Sequence, residues 1–281
     1  MKPLALLAAA AFLAGCHRAP TRTNEVVTVP APAISLSASD PLWEQAPEHL
    51  AKLLLQDLVD PRLLKPSTSE VRVRSVHNGG DVAIRLEWAD ATQNDLPGPA
   101  RFLDGCAIQM PKTIEANPPD PQMGQPGHPV EISFWRADWQ ASVNGRKDTI
   151  REIYPNAAVD HYPFEAKPLE PGSTARKEME SRYAPAQAVG NRRVGPRESA
   201  VEDMVAEGPG TLSPAPARMS RGGGARTKEG WAVVIARKLP EGLAPGTRTQ
   251  IAFAVWEGSA QDAGGRKMRT GWIPFSMRAA K

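Results

Sequence analysis

Between Glu70 and Asp90 apolar and polar residues alternate with a period close to two. Val71, Val73 and Val76 interleave with Arg72 and Arg74, His77-Asn78-Gly79-Gly80-Asp81 follows, and Val82, Ile84, Leu86 and Trp88 then alternate with Arg85 and Glu87. Such a pattern fits a β-hairpin with one face in a core and one in water, and it excludes a helix over this stretch. Further strands are predicted at Gly105–Met110, Val130–Trp135, Trp231–Arg237, Gln250–Trp256 and Trp272–Met277. Loops rather than helical periods separate them. With 28 prolines and 23 glycines in 281 residues, the expected fold is mainly β: an antiparallel β-sandwich with long loops and few short helices.

Two stretches resist this reading. In Ala46–Val59, Leu50, Leu53, Leu54 and Leu58 fit a helical period. From Pro155 to Thr227 strand pattern is scarce, and a loop that long fits a flap over one end of the sandwich. Within it Arg218–Arg226 (RMSRGGGAR) is expected to be a solvated basic tip.

The N-terminus carries a second signal. Met1-Lys2 is followed by an apolar run, Leu4–Leu13, and by Leu13-Ala14-Gly15-Cys16. The run is too short to span a bilayer, so residues 1–16 are expected to be an export signal of the lipoprotein type, with Cys16 lipidated. Residues 17–39, rich in Pro, Ala, Thr and Ser, are expected to tether the anchor to a domain covering 40–281. The protein is then exported and held by lipid at the periplasmic face of a bacterial membrane. If Cys16 is consumed by lipid, Cys106 is the single thiol left, and no disulfide framework exists within the mature chain. Neither cysteine begins a CxxCH, which excludes covalent c-type haem.

Charge is nearly balanced, with 34 basic and 31 acidic residues mixed along the chain. No Lys/Arg stripe suits nucleic acid. Paired carboxylates, a Ser/His/Asp set and a phosphate loop are all missing from the pattern: Arg221-Gly222-Gly223-Gly224 lacks the spacing for the last, and Asp138 and Asp148 have no partner histidine. No enzyme active site is visible. His17 falls in the tether, and His49, His77, His128 and His161 in turns or proline-flanked loops, with no metal-ligand spacing among them.

Three segments, in this order, carry a family likeness: PQMGQPGHPVEISFWRADW (Pro121–Trp139), ESAVEDMVAEGPGTL (Glu198–Leu212) and QIAFAVWEGSAQDAGGRKMRTGWIPF (Gln250–Phe275). Together they resemble the haem b-binding subunits of ethylbenzene dehydrogenase, dimethyl sulfide dehydrogenase, selenate reductase and chlorate reductase. The likeness runs from about Asp40 to Phe275. It implies a sandwich like those of carbohydrate-binding modules, an extended rather than helical Ala46–Val59, and one non-covalent haem b with methionine and lysine as axial ligands. The lysine maps to Lys267, just before the last strand. The methionine maps to Met123, in Gln122-Met123-Gly124 ahead of the Val130 strand, with Met110 in CAIQMP as the alternative. Iron binds lysine only as the free amine, so its pKa must be depressed; Arg266 next door stays protonated and cannot substitute.

The function so implied is electron transfer without a substrate site of the chain's own. Its partners would be iron–sulfur and molybdenum-containing subunits or a periplasmic cytochrome. The rival is a haem-free β-sandwich that binds carbohydrate or a partner protein.

Replacing Cys16 with serine should release the protein from membranes and abolish incorporation of labelled fatty acid. A wild-type chain that takes up no label, cut at another bond, overturns the lipidation reading.

Overall fold

The computed structural model describes residues 22–147, 153–156, 169–170, 172–183 and 197–279. Cys16, His17, Asp148 and His161 lie outside them. The described strands are β1 (Arg22–Thr23), β2 (Val26–Pro30), β3 (Glu48–Lys52), β4 (Leu54–Leu55), β5 (Glu70–His77), β6 (Asp81–Ala89), β7 (Gly105–Pro111) and β8 (Val130–Arg136). They continue with β9 (Val201–Ala206), β10 (Ser213–Pro214), β11 (Ser220–Arg226), β12 (Gly230–Lys238), β13 (Arg248–Trp256), β14 (Met268–Arg269) and β15 (Ile273–Met277). Two short helices, α1 (Ala137–Val143) and α2 (Thr174–Tyr183), complete the regular elements apart from two 3-10 turns.

The β5–β6 hairpin forms where the alternation predicts it, pairing from Arg72↔Glu87 to His77↔Val82. Asn78 Oδ1 accepts from the backbone N–H of Gly80 and Asp81, and Gly79 takes φ +93°, so the turn is built by residues suited to it.

Order across the sheet is β10-β9-β8-β7-β13-β15-β2-β5-β6-β12-β11. The first half of β13 pairs with β15 and the second half with β7, so one strand belongs to two layers. The layers close on a core that takes Val71, Ile84, Leu86, Val233 and Ile235 from one side and Ile108, Met110, Trp135, Phe253 and Val255 from the other. Polar contacts also cross between them, Arg237 to Glu131 and Ser133 Oγ to Ser220 Oγ at 2.7 Å. This is a β-sandwich, as expected.

The pairing is antiparallel except around the N-terminal segment. There β2 runs parallel to both β15 and β5, and β1 parallel to β3. Val26–Pro30 therefore does not belong to a tether. It is an interior strand whose first four residues are buried. Val26 enters the main core, while Val27 and Val29 face a second cluster with Trp43, Val76, Ala83, Val234 and Ala236. Residues Ala31, Ile34, Leu36 and Leu42 cover that cluster from outside. With both faces buried the strand has no alternation to display.

Two other expectations change. Ala46–Val59 is extended, supplying β3 and β4, as the family likeness implied and the leucine spacing did not. Ser220–Arg226 is no solvated tip but the edge strand β11, paired along its length with β12. Its glycines meet close approaches. A Cβ at Gly224 would lie 2.4 Å from Trp135 Cζ2, and one at Gly222 would lie 2.5 Å from Val201 Cγ2. Larger residues would push the strand off the layer beneath.

A chain starting at Asp40 should lose its cooperative unfolding transition or become insoluble, because removing β2 splits the sheet between β15 and β5. A chain starting at His17 should unfold cooperatively. Equal melting profiles for the two would remove β2 from the fold's requirements.

Candidate functional site

A cavity of about 580 Å³ lies on the outer face of the second layer, within the range of small-molecule and cofactor sites. The period-two rule builds its floor. On β7, Cys106, Ile108 and Met110 point into the sandwich, so Ala107 and Gln109 point out into the cavity. On β13, Ile251, Phe253 and Val255 point in, and Ala252, Ala254 and Trp256 point out. Ala107 sits opposite Ala254, and Gln109 opposite Ala252. Methyl side chains in a row leave a shallow trough on the sheet, bordered by Ile132, Phe134 and Met204 from β8 and β9. Loops around Gln56–Pro61, Arg101–Leu103, Pro121–Met123, Pro209–Leu212 and Asp262–Lys267 form the walls.

Met123 and Lys267, far apart in sequence, both line this cavity. Met110 does not: it is fully buried on the opposite face of β7, inside the sandwich core. The loop carrying Met123 is tightly specified. Asp120 Oδ1 accepts from Gln122 N at 2.8 Å, its carbonyl accepts from Gly124 N at 2.9 Å, and Met123 O accepts from Gly208 N at 2.8 Å. Gly124 has φ +82°, and a Cβ there would stand 2.9 Å from Ala206 O. Met123 itself has φ +72°, a left-handed conformation that costs a residue with a Cβ roughly 1–2 kcal/mol. The surrounding hydrogen bonds hold it there.

Lys267 directly precedes β14. Its Nζ lies 5.2 Å from the centre of the Trp256 ring, and among the described residues no carboxylate pairs with it. Burial, with Arg269 adding to it, pushes the amine down to about 8. Gln56 fixes the backbone around it, donating through Nε2 to Val59 O (2.7 Å) and Gly265 O (2.9 Å) while its own N–H reaches Lys267 O (3.1 Å). Arg266, by contrast, lies over the Phe102 ring, 5.7 Å from its centre, and is not among the residues lining the cavity.

The described histidines are not cavity residues. His49 and His77 are buried in β3 and β5, not set in exposed turns; their ring nitrogens meet Thr23 O and Arg278 O, each at 2.8 Å. His128 lies 2.8 Å from Glu115.

Just past the ends of β6 and β13 and just before β7 lies a feature the sequence concealed. Asp90, Asp104 and Glu257 are buried, with one oxygen from each lying within 4.8 Å of the others. Burial raises Asp104 to about 6 and Glu257 to about 7, although Asn94 N, Gly258 N and Trp231 Nε1 all donate to Asp104. These acids come from three distant segments with no shared motif, so spacing could not reveal them.

Fold and cavity define a class: a β-sandwich with an apolar, cofactor-sized cavity flanked by a thioether and an amine of lowered pKa. The profile of the ethylbenzene dehydrogenase family matches residues 40–268, and the chain belongs to that family. It is 26% identical, over 76% of its length, to a Haloferax mediterranei protein named as a respiratory nitrate reductase heme subunit, spanning 58% of that relative. It is also 26% identical to the chlorate reductase subunit gamma of Ideonella dechloratans, over 82% of this chain and 74% of the relative. Among solved structures, a family 9 carbohydrate-binding module of Caldicellulosiruptor kristjanssonii, crystallised with glucose, covers 93% of this chain and 97% of its own at 9% identity. Its TM-score of 0.38 is too low to bear on fold or ligand.

Lowering the Lys267 pKa makes a testable signature in the ligand-free protein. Folding disfavours the charged form, so this residue's contribution to stability is present above the unfolded value near 10.4 and is lost as pH falls to about 8. Lys267→Met should remove that loss and raise the melting temperature at pH 7 more than at pH 10. Equal shifts at both pH values would mean that the amine is not desolvated.

Proposed function

We propose that this protein is a single-haem b electron-transfer subunit, with Met123 and Lys267 as the axial ligands. The observation that carries the reading is the convergence of a strained methionine and a lysine with no carboxylate partner, its pKa lowered by burial, on one apolar cavity. The donor set fits the group. The alanine trough on β7 and β13 admits a flat macrocycle, and a lysine with no carboxylate partner is free to present its amine.

Haem supplies a one-electron iron couple, and the chain's own residues determine how it is used. Met123 offers a soft, neutral sulfur, a ligand type that raises haem potential. Lys267 can offer nitrogen only after losing its proton, which burial already favours. The floor residues and Phe134 exclude water. With no CxxCH, attachment is non-covalent.

The relatives' names, a nitrate reductase heme subunit and a chlorate reductase gamma subunit, support a reductase complex as partner. In this reading the chain relays electrons for an iron–sulfur and molybdenum-containing enzyme, or for a periplasmic cytochrome, and has no substrate site of its own. Export and a lipid at Cys16 would place it at the periplasmic face of a membrane. Among the described residues no helix is long and apolar enough to cross one.

Purified protein loaded with haem should show a low-spin six-coordinate spectrum with reducible α and β bands. Lys267→Ala should lose that spectrum or the haem itself, while Arg266→Ala should keep both. Met123→Ala should lower the midpoint potential or open a coordination position. Met110→Ala should instead leave the spectrum intact and destabilise the fold by about 2–5 kcal/mol as a core cavity. A chain that takes up no haem would favour the binding-module rival; unchanged spectra in both ligand variants would move the ligands elsewhere.

A further inference from the structure

Besides Lys267 the cavity wall holds three arginines, Arg101, Arg136 and Arg269, which the axial-ligand reading leaves unused. Arg269 lines the cavity two residues beyond Lys267. Its Nε is buried and has no hydrogen-bond acceptor among the described residues, and Nη1 reaches only Thr270 O, at 3.5 Å. Acids on the same walls are not ion-paired with Arg269, and among them only Asp262 keeps a buried oxygen, Oδ1, without a hydrogen-bond partner. Glu202 binds Arg197 at 2.6 Å, Asp60 binds Arg62 at 3.2 Å, and Asp262 accepts from Ser67 Oγ and Glu257 N. Among the described residues no carboxylate lies within ion-pair distance of Arg269.

Unlike Lys267, a guanidinium cannot relieve burial by shedding its proton. A partly buried cation that lines an apolar cavity and has an unpaired N–H is costly unless an anion meets it. The described wall supplies none, so the complement must arrive with the ligand. The neighbouring arginines are placed differently: Arg101 lies over Tyr154, 5.9 Å from the ring centre, and Arg136 holds Asp138 through two bonds of 2.5 and 2.6 Å.

We propose that Arg269 is the anion anchor of this cavity, binding a carboxylate on the rim of the cofactor and so fixing which way round the cofactor sits. This rests on the haem reading, in which the carboxylate is a propionate. A planar guanidinium suits a carboxylate, and charge-assisted bonds of this kind are the strong ones.

The test compares ferric protoporphyrin IX with its dimethyl ester, whose propionates are capped, in equilibrium titrations of the ligand-free protein. The unmodified chain should bind the ester roughly ten- to a hundredfold more weakly, the range expected for losing a hydrogen bond to a charged group. Arg269→Gln should bind the free acid more weakly by a similar factor and no longer distinguish the two porphyrins. Arg269→Lys, which keeps the charge without the planar fork, should retain part of the preference. Equal affinities in the unmodified chain overturn the proposal without any variant having to fold. So does an Arg269→Gln chain that still prefers the free acid as strongly as wild type. If the unmodified chain binds neither porphyrin, the haem reading falls and takes the anchor with it.

Discussion

Everything at the candidate site depends on one strand serving two environments. Along β13 each step of the backbone moves a side chain from the sandwich core to the cavity: Ile251, Phe253 and Val255 inward, Ala252, Ala254 and Trp256 outward. The same strand passes from one layer to the other partway along, so it also closes the sandwich. A one-residue slip would put phenylalanine where the trough needs a methyl group, and alanine where the core needs bulk. Register, more than any single contact, therefore sets the shape of the cavity.

The inward residues are legible in the sequence because alternation survives wherever one face is buried and the other is not. That condition is clearest in β13 and in the second half of β6; β7 is buried throughout, and there the small or polar Ala107 and Gln109 on the cavity face keep the alternation readable. The condition fails for β2, buried on both sides, and for β11, where three consecutive glycines carry no polarity to read. In β11 the absent side chains are themselves the signal, since Trp135, Val201 and Leu36 occupy the space their Cβ atoms would need. The lone pattern GGG could not tell that crowding from a loose tip.

Legibility of the site is divided in the same way. Met123 and Lys267 stand out only through the family likeness, because methionine is ordinary core filler and most hairpin lysines are solvated. The spatial facts come from topology: β14 pairs with β13 and β4 and sets Lys267 at the cavity wall, while the Pro121–Met123 loop leads into β8 on the same layer. Met110 shows the limit of reading by residue type. It is as good a thioether as Met123, but it stands an odd number of positions from Ala107 along a strand, and that parity alone turns it into the core.

Three unfavourable features meet around this cavity: a non-glycine residue held left-handed at 123, an amine desolvated at 267 and a buried guanidinium N–H without an acceptor at 269. Other buried arginines differ in keeping a carboxylate partner, Arg237 with Glu131 and Arg74 with Glu48, although each of these also leaves one buried nitrogen unpaired. Natural folds concentrate such exceptions where a ligand will complete them. On the haem reading, one ligand would engage all three residues: iron would take the thioether and the amine, and a carboxylate would meet the guanidinium. A ligand that meets all three binds the folded state and not the unfolded chain, so its free energy of binding adds to stability in proportion to the logarithm of its concentration over Kd. On the haem reading, that coupling would make the haem-free chain the less stable form.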